Sequence, residues 1–164
     1  MMLTTTTLVA TPSTEIVLEV GLFALPHAPN TQPAYQTDWS AGMDIQAAIE
    51  VPLTLQPLER ALIPTGWVIA LPEGYEAQIR PRSGLAVKHG ITLINCVGTI
   101  DADYRQEVKV PLVNLSSEPF TIELGMRIAQ LLVAPVTRFT WQTLSQAPDA
   151  VTSRQGGFGS TGLH

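Results

Sequence analysis

Proline and glycine break this chain every few residues, and that punctuation confines it to short strands. The thirteen prolines and twelve glycines fall mainly between strand-like runs. These runs are EIVLEV (15–20), MDIQAAIE (43–50), RALIPTGWVIAL (60–71), YEAQIR (75–80), ITLINCV (91–97), EVKVPLVNL (107–115), FTIEL (120–124), RIAQLLVAPV (127–136) and FTWQTL (139–144). Their length and interval predict a sandwich or barrel. Only SGLAVKHG (83–90) reads as helical, a turn or two with Ser83 as N-cap and Gly90 as stop. Strand–helix–strand units are missing from the pattern, which excludes a Rossmann or P-loop architecture. The expected fold is all-β, a jelly-roll-like sandwich with one short helix spanning 15–144, after a variable tail of residues 1–14.

A chain of 164 residues buries one real core. It is 45% hydrophobic and only 14% charged, which suits a domain that hides surface in subunit contacts. A net charge of −5 argues against nucleic acid as a partner. The basic residues are unevenly placed: none precedes Arg60, while Arg80, Arg82, Lys88, Arg105 and Lys109 share one central stretch. Several stand beside Gly and Ser, which fits a compact polyanion. A single cysteine, Cys96, excludes an internal disulfide and fits a reducing compartment. With His27, His89 and His164 it makes no structural zinc spacing. The first residues carry no Lys or Arg, which argues against a leader, and no apolar run reaches membrane-span length. The expected location is the cytoplasm.

Residues 145–164, SQAPDAVTSRQGGFGSTGLH, differ in composition and cannot order themselves by burial. They read either as a frayed terminus or as a flexible arm that closes over a ligand. For the second reading, the glycines allow close backbone approach, the hydroxyls can meet an anion and Phe158 can stack.

Two central segments carry chemistry. PRSGL offers a guanidinium, a hydroxyl and backbone N–H groups at the start of a helical turn, a ready anion site. The alternative for Arg82 is a structural ion pair. GTIDADYRQEVKV reads as a β-hairpin with its tip near Tyr104 and Arg105, which places Thr99 and Ile100 opposite Lys109. An open mouth there can present main-chain N–H and C=O groups to a flat base edge. Asp101 and Asp103 point the same way if the strand is regular.

In order, spacing and residues, AGMDIQA (41–47), PRSGLAVKHG (81–90), NCVGTIDADYRQEV (95–108), GMRIAQL (125–131) and RQGGFGSTG (154–162) resemble the five motifs of trimeric dUTPases. The resemblance runs from about residue 15 to the C-terminus. It implies hydrolysis of dUTP to dUMP and pyrophosphate by a homotrimer with shared active sites and Mg2+ as cofactor. Asp101 would be the general base for the attacking water. Arg82, Ser83 and Gly84 would bind phosphate, with Gln130. Asn95, Thr99, Ile100 and Lys109 would read uracil, and Tyr104 would pack on the sugar. Asp44 would partner either a metal-bound water or an active-site arginine, and Arg127 either phosphate or a subunit ion pair. From the arm, Phe158 would stack on uracil, while Arg154, Gly159, Ser160 and Thr161 would meet the γ-phosphate end.

Two departures stand out. The stretch from Arg154 to Phe158 is one residue shorter than the family arm. Gln106 replaces a usual hairpin glycine, so a tip needing φ > 0 there would have to rearrange. A dCTP deaminase shares the fold but needs a glutamate placed for deamination, and the hairpin and arm point away from it. A dUTP-sensing regulator is the rival from another class.

Overall fold

The computed structural model describes residues 18–149. Twelve strands and one helix are assigned among them: β1 (Gly21–Ala24), β2 (Ala34–Tyr35), β3 (Met43–Gln46), β4 (Leu53–Leu55), β5 (Arg60–Pro64), β6 (Trp67–Ala70), β7 (Tyr75–Pro81), α1 (Ser83–His89), β8 (Ile91–Leu93), β9 (Gly98–Ile100), β10 (Lys109–Asn114), β11 (Phe120–Ile122) and β12 (Arg127–Pro135). All pairings are antiparallel. A five-stranded sheet runs β2-β3-β12-β7-β9 and a three-stranded sheet β5-β10-β8, with the two-stranded pairs β1-β6 and β11-β4 beside them. The all-β, jelly-roll-like expectation holds.

Alternation explains the core. Ala77 and Ile79 of β7, Ile45 of β3 and Ala129 of β12 point inward from the large sheet. Ile63 of β5, Val110 and Leu112 of β10, and Ile91 and Leu93 of β8 meet them from the other, in one continuous cluster. The buried polar residue Asn114 is fully used. Its Nδ2 donates to the carbonyls of Leu55 and Glu118, and its Oδ1 accepts from the main chain and hydroxyl of Ser116.

Several sequence expectations change in detail. The run 60–71 is two strands, because Gly66 turns the chain at φ 75°. ITLINCV splits into β8 and the turn before β9. Ser83 is the first helical residue and Arg82 the N-cap, without a side-chain cap bond. Gly90 does stop the helix, in the left-handed conformation, its N–H bonded to the Ala86 carbonyl. Of the expected strand 15–20, residues 15–17 lie outside the described residues and 18–20 are not strand; the first strand among the described residues starts at Gly21. The segment 139–144 forms no strand and pairs with none among the described residues. It leaves Phe139 and Trp141 exposed, in edge-on contact at 5.1 Å. The strands β2 and β4, of two and three residues, are too short to show a pattern in the sequence. No helix among the described residues is long and apolar enough to cross a membrane.

Candidate active site

At one end of the large sheet the register sets Arg80, Gln130 and Asp44 side by side on β7, β12 and β3. Asp44 is buried, and both of its oxygens are engaged. Oδ1 accepts from Nε of Arg82 at 3.1 Å and Oδ2 from Nη1 of Arg127 at 3.1 Å. Arg82 also donates to the Arg127 carbonyl at 3.1 Å, and Arg127 to Oε1 of Gln36 at 3.0 Å. Two guanidiniums on one carboxylate leave a net positive edge. Asp44 thus has two arginine partners, and Arg127 finds its carboxylate within its own chain. Ser83 and Gly84 are exposed beside Arg82, and a Cβ built on Gly84 would meet nothing within 4 Å. The approach to this turn is therefore open.

The hairpin is built differently from expectation. β9 pairs with β7, whereas β10 pairs with β5 and β8, so the two arms belong to different sheets. Thr99 and Ile100 therefore do not ladder with Lys109. They share with it a cavity of about 210 Å³ whose other lining residues are Asp101, Tyr104 and Val108. β9 is the edge of its sheet, which leaves its outer main-chain groups unspent by a ladder. The strand ends at Ile100, and residues 101–104 form a turn closed by the Tyr104 N–H on the Asp101 carbonyl at 3.1 Å. The regular alternation expected of Asp101 and Asp103 therefore does not apply. Arg105 secures the tip by donating to the carbonyls of Ala102 and Tyr104. Gln106 is not at positive φ; Leu58 is the one non-glycine so placed among the described residues. Asn95 is exposed in the turn before β9 and is not part of the cavity lining. It lies over Gly98, where an added Cβ would come within 3.3 Å of its Nδ2.

None of Asp44, Arg82, Arg127 or Gln130 lines the cavity. Ile100 is in register with Ala77, while Arg82 lies beyond the far end of β7. Five residues of extended chain separate those positions, roughly 16 Å at a strand's rise. Arg154, Phe158, Gly159, Ser160 and Thr161 lie outside the described residues.

Glu107 escaped the sequence reading, although its place two residues before Lys109 puts both on one face of an extended segment. Its Oε1 accepts from the Gly66 N–H at 2.8 Å and bonds Nε2 of His27 at 2.8 Å, and Oε2 lies 3.6 Å from Nζ of Lys109. Its carbonyl accepts the Tyr104 hydroxyl at 2.9 Å. Burial alone pushes this carboxyl up. The hydrogen bonds of His27 and Gly66, with the charges of His27 and Lys109, outweigh it and hold the carboxyl below its usual value. No group of three His, Cys, Asp or Glu side chains among the described residues is placed to hold a metal ion.

The architecture is that of a small jelly-roll-like enzyme domain with two polar working ends. Residues 28–162 match the family model for dUTPase, and the chain belongs to the dUTPase family. The deoxyuridine 5'-triphosphate nucleotidohydrolase of Rhizobium meliloti is 53% identical over 159 residues, covering 93% of this chain and 98% of that one. Among solved structures, the Staphylococcus bacteriophage 80alpha dUTPase with dUPNHPP superposes with a TM-score of 0.77 at 24% identity, covering 88% of this chain and 99% of that one. A dUTPase of phage phi11 of S. aureus, described for its coordination of a structural Mg(II) ion, gives a TM-score of 0.70 at 22% identity, covering 80% and 99%.

Proposed function

We propose that this dUTPase hydrolyses dUTP to dUMP and pyrophosphate by water attack on the α-phosphorus, with Asp101 as the general base. The observation that carries the reading is the cavity between β9 and β10, with Asp101 on its wall. Uracil enters there against the main chain of Thr99, Ile100 and Lys109, with Asn95 assisting from the turn. A site of this width rejects the C5 methyl of thymine by size and the amino group of cytosine by unpaired polar groups. Tyr104 packs on the sugar. A carboxylate suits the base role because water must lose a proton as it attacks an anionic centre.

Arg82, Ser83, Gly84 and Gln130 bind the phosphates at the positive end of the large sheet. The separation of roughly 16 Å between the two ends within one chain supports a site completed by another subunit, in a homotrimer. The arm, residues 145–164, supplies Phe158 to stack on uracil and Arg154, Gly159, Ser160 and Thr161 to the γ-phosphate. The Mg2+ expected for this family fits the donor set as an ion carried by the triphosphate, since the described residues offer no cage for it. Asp44 would reach it through water: a carboxylate accepts at about four positions, and the arginines occupy two. When bound, the ion neutralises charge on the phosphoryl oxygens. Every other contribution is the chain's own, chiefly positioning and guanidinium stabilisation. Acting in the cytoplasm, the enzyme keeps uracil out of DNA and supplies dUMP for thymidylate synthesis.

Pyrophosphate release from dUTP, dCTP, dTTP and UTP, with and without Mg2+, tests this directly. Release from dUTP alone, dependent on the metal, is expected. Ammonia release from dCTP, or dUTP binding without turnover, would overturn it in favour of a deaminase or a sensor.

A further inference from the structure

Lys109 of the cavity wall ladders with Pro64 of β5, and the segment between it and Tyr104 has a further attachment. The turn between β5 and β6 holds the segment just before β10 through three bonds. The Thr65 hydroxyl donates to the Val108 carbonyl at 2.6 Å, the Val108 N–H to the Trp67 carbonyl at 2.8 Å, and the Gly66 N–H to Glu107 at 2.8 Å. The chain after β1 is seated on the same turn. Leu25 N–H reaches the Gly66 carbonyl at 2.8 Å, and a Cβ on Gly66 would fall 2.3 Å from Cα of Ala28. This close approach brings His27 onto Glu107.

Glu107 therefore faces two ways. Its carboxylate grips the scaffold and the Lys109 ammonium, while its carbonyl holds the Tyr104 hydroxyl. It does not line the cavity itself.

We infer that Glu107 is a positioning residue for base recognition, fixing Tyr104 and Lys109 at the cavity mouth, with His27 and the Gly66 turn as its anchors. The inference rests on the reading of this cavity as the uracil pocket. A loosened wall would widen the mouth. It would therefore weaken dUTP binding and admit cytosine better, while the proton transfer at Asp101 would change little.

The test is steady-state kinetics with dUTP and dCTP, alongside melting curves, for Glu107→Gln, His27→Ala, His27→Gln and Tyr104→Ala in the full-length chain. Glu107→Gln should raise KM for dUTP by about tenfold, the scale of a hydrogen bond to a charged group. It should lower the dUTP-over-dCTP preference by a similar factor and change kcat by less than about twofold. His27→Ala should give a smaller shift of the same kind, about two- to threefold, because that pair is partly solvated. His27→Gln keeps a donor and should recover most of it. A folded Glu107→Gln with unchanged KM and preference overturns the inference, as does a loss confined to kcat. Should Glu107→Gln fail to fold, identical dUTP preference in His27→Ala and wild type overturns it equally. If Tyr104→Ala is impaired while these variants are normal, the positioning role fails and the pocket stands. If Tyr104→Ala is normal as well, the cavity is not the base pocket and both fall.

Discussion

The two ends of β7 solve the problem of holding a polar site in different ways. At the Arg82 end, charge holds charge: one buried carboxylate fixes two guanidiniums, each at 3.1 Å. At the Ile100 end, main chain holds main chain. A turn, an edge strand and one carboxylate shape a cavity with little charge of its own beyond Asp101 and Lys109. The first design suits phosphate, which is recognised by charge and direction. The second suits a neutral base, which is recognised by width and by unpaired polar groups. On the proposed reading, keeping them apart would spare the base pocket the arginines' field and leave the two to meet across subunits.

The largest effect expected is at the wall of the cavity. Asp101→Asn should keep the fold and dUTP binding while turnover falls by roughly 10²–10⁴-fold, the range for a general base. Single-turnover pyrophosphate release, with circular dichroism for the fold, measures it; wild-type turnover would remove Asp101 from the mechanism. A mixture then tests whether the two ends meet across subunits. Asp101→Asn chains and Arg82→Ala chains, each inactive alone, are unfolded together and refolded. Random assembly should restore about a quarter of wild-type activity, because that share of shared sites draws both intact residues. No recovery would mean that each chain builds its own site.

The arginine end also carries stability. Asp44→Asn should lower the unfolding free energy by about 2–3 kcal/mol, since a buried carboxylate accepting two charged hydrogen bonds is replaced by an amide. Urea denaturation measures this, and an unchanged midpoint would mean that the arginines re-solvate without cost. By contrast, removing the Thr65 hydroxyl at the other end should cost about 1–2 kcal/mol, the worth of its two neutral bonds, to the Val108 carbonyl and from the Trp67 N–H.

The sequence revealed alternation and turn chemistry well and partner choice poorly. β7 and β11 are legible because apolar residues recur at every second position beside Pro or Gly, β10 through Val110 and Leu112, and β12 as an apolar run between Gly125 and Pro135. The register that sets Asp44 against Gln130 joins residues 86 apart, and nothing local encodes it. For the same reason the hairpin was right at its tip and wrong at its ladder: a turn at 101–104 is local, but which sheet each arm joins depends on β5, β7 and β8. Gly66 was visible only as a glycine inside an apolar run, which hid a strand break that Ala28 packs against. Glu107 went unremarked because its partners, His27 and Gly66, are 80 and 41 residues away.

The smallest expected effect concerns that same residue and follows from its lowered pKa. A carboxyl that is more acidic in the folded chain binds its proton more readily when unfolded, so its stabilisation is present above the unfolded value. It is lost as pH falls through the folded one. Glu107→Gln cannot titrate, so the change of the stability gap between wild type and variant in acid reports this carboxyl together with its partners His27 and Lys109. The gap should be constant above about pH 5, where an ordinary carboxylate is ionised in either state. It should then close progressively in acid. Its size should stay below about 1 kcal/mol, because water screens the partly exposed His27 and Lys109 that help to hold it. Salt should shrink the part due to those charges and spare the part due to the Gly66 N–H, which separates clasp from Coulomb attraction. Urea curves at several pH values measure the gap. One that stayed constant down to pH 2 would show that the carboxyl is no more acidic folded than unfolded.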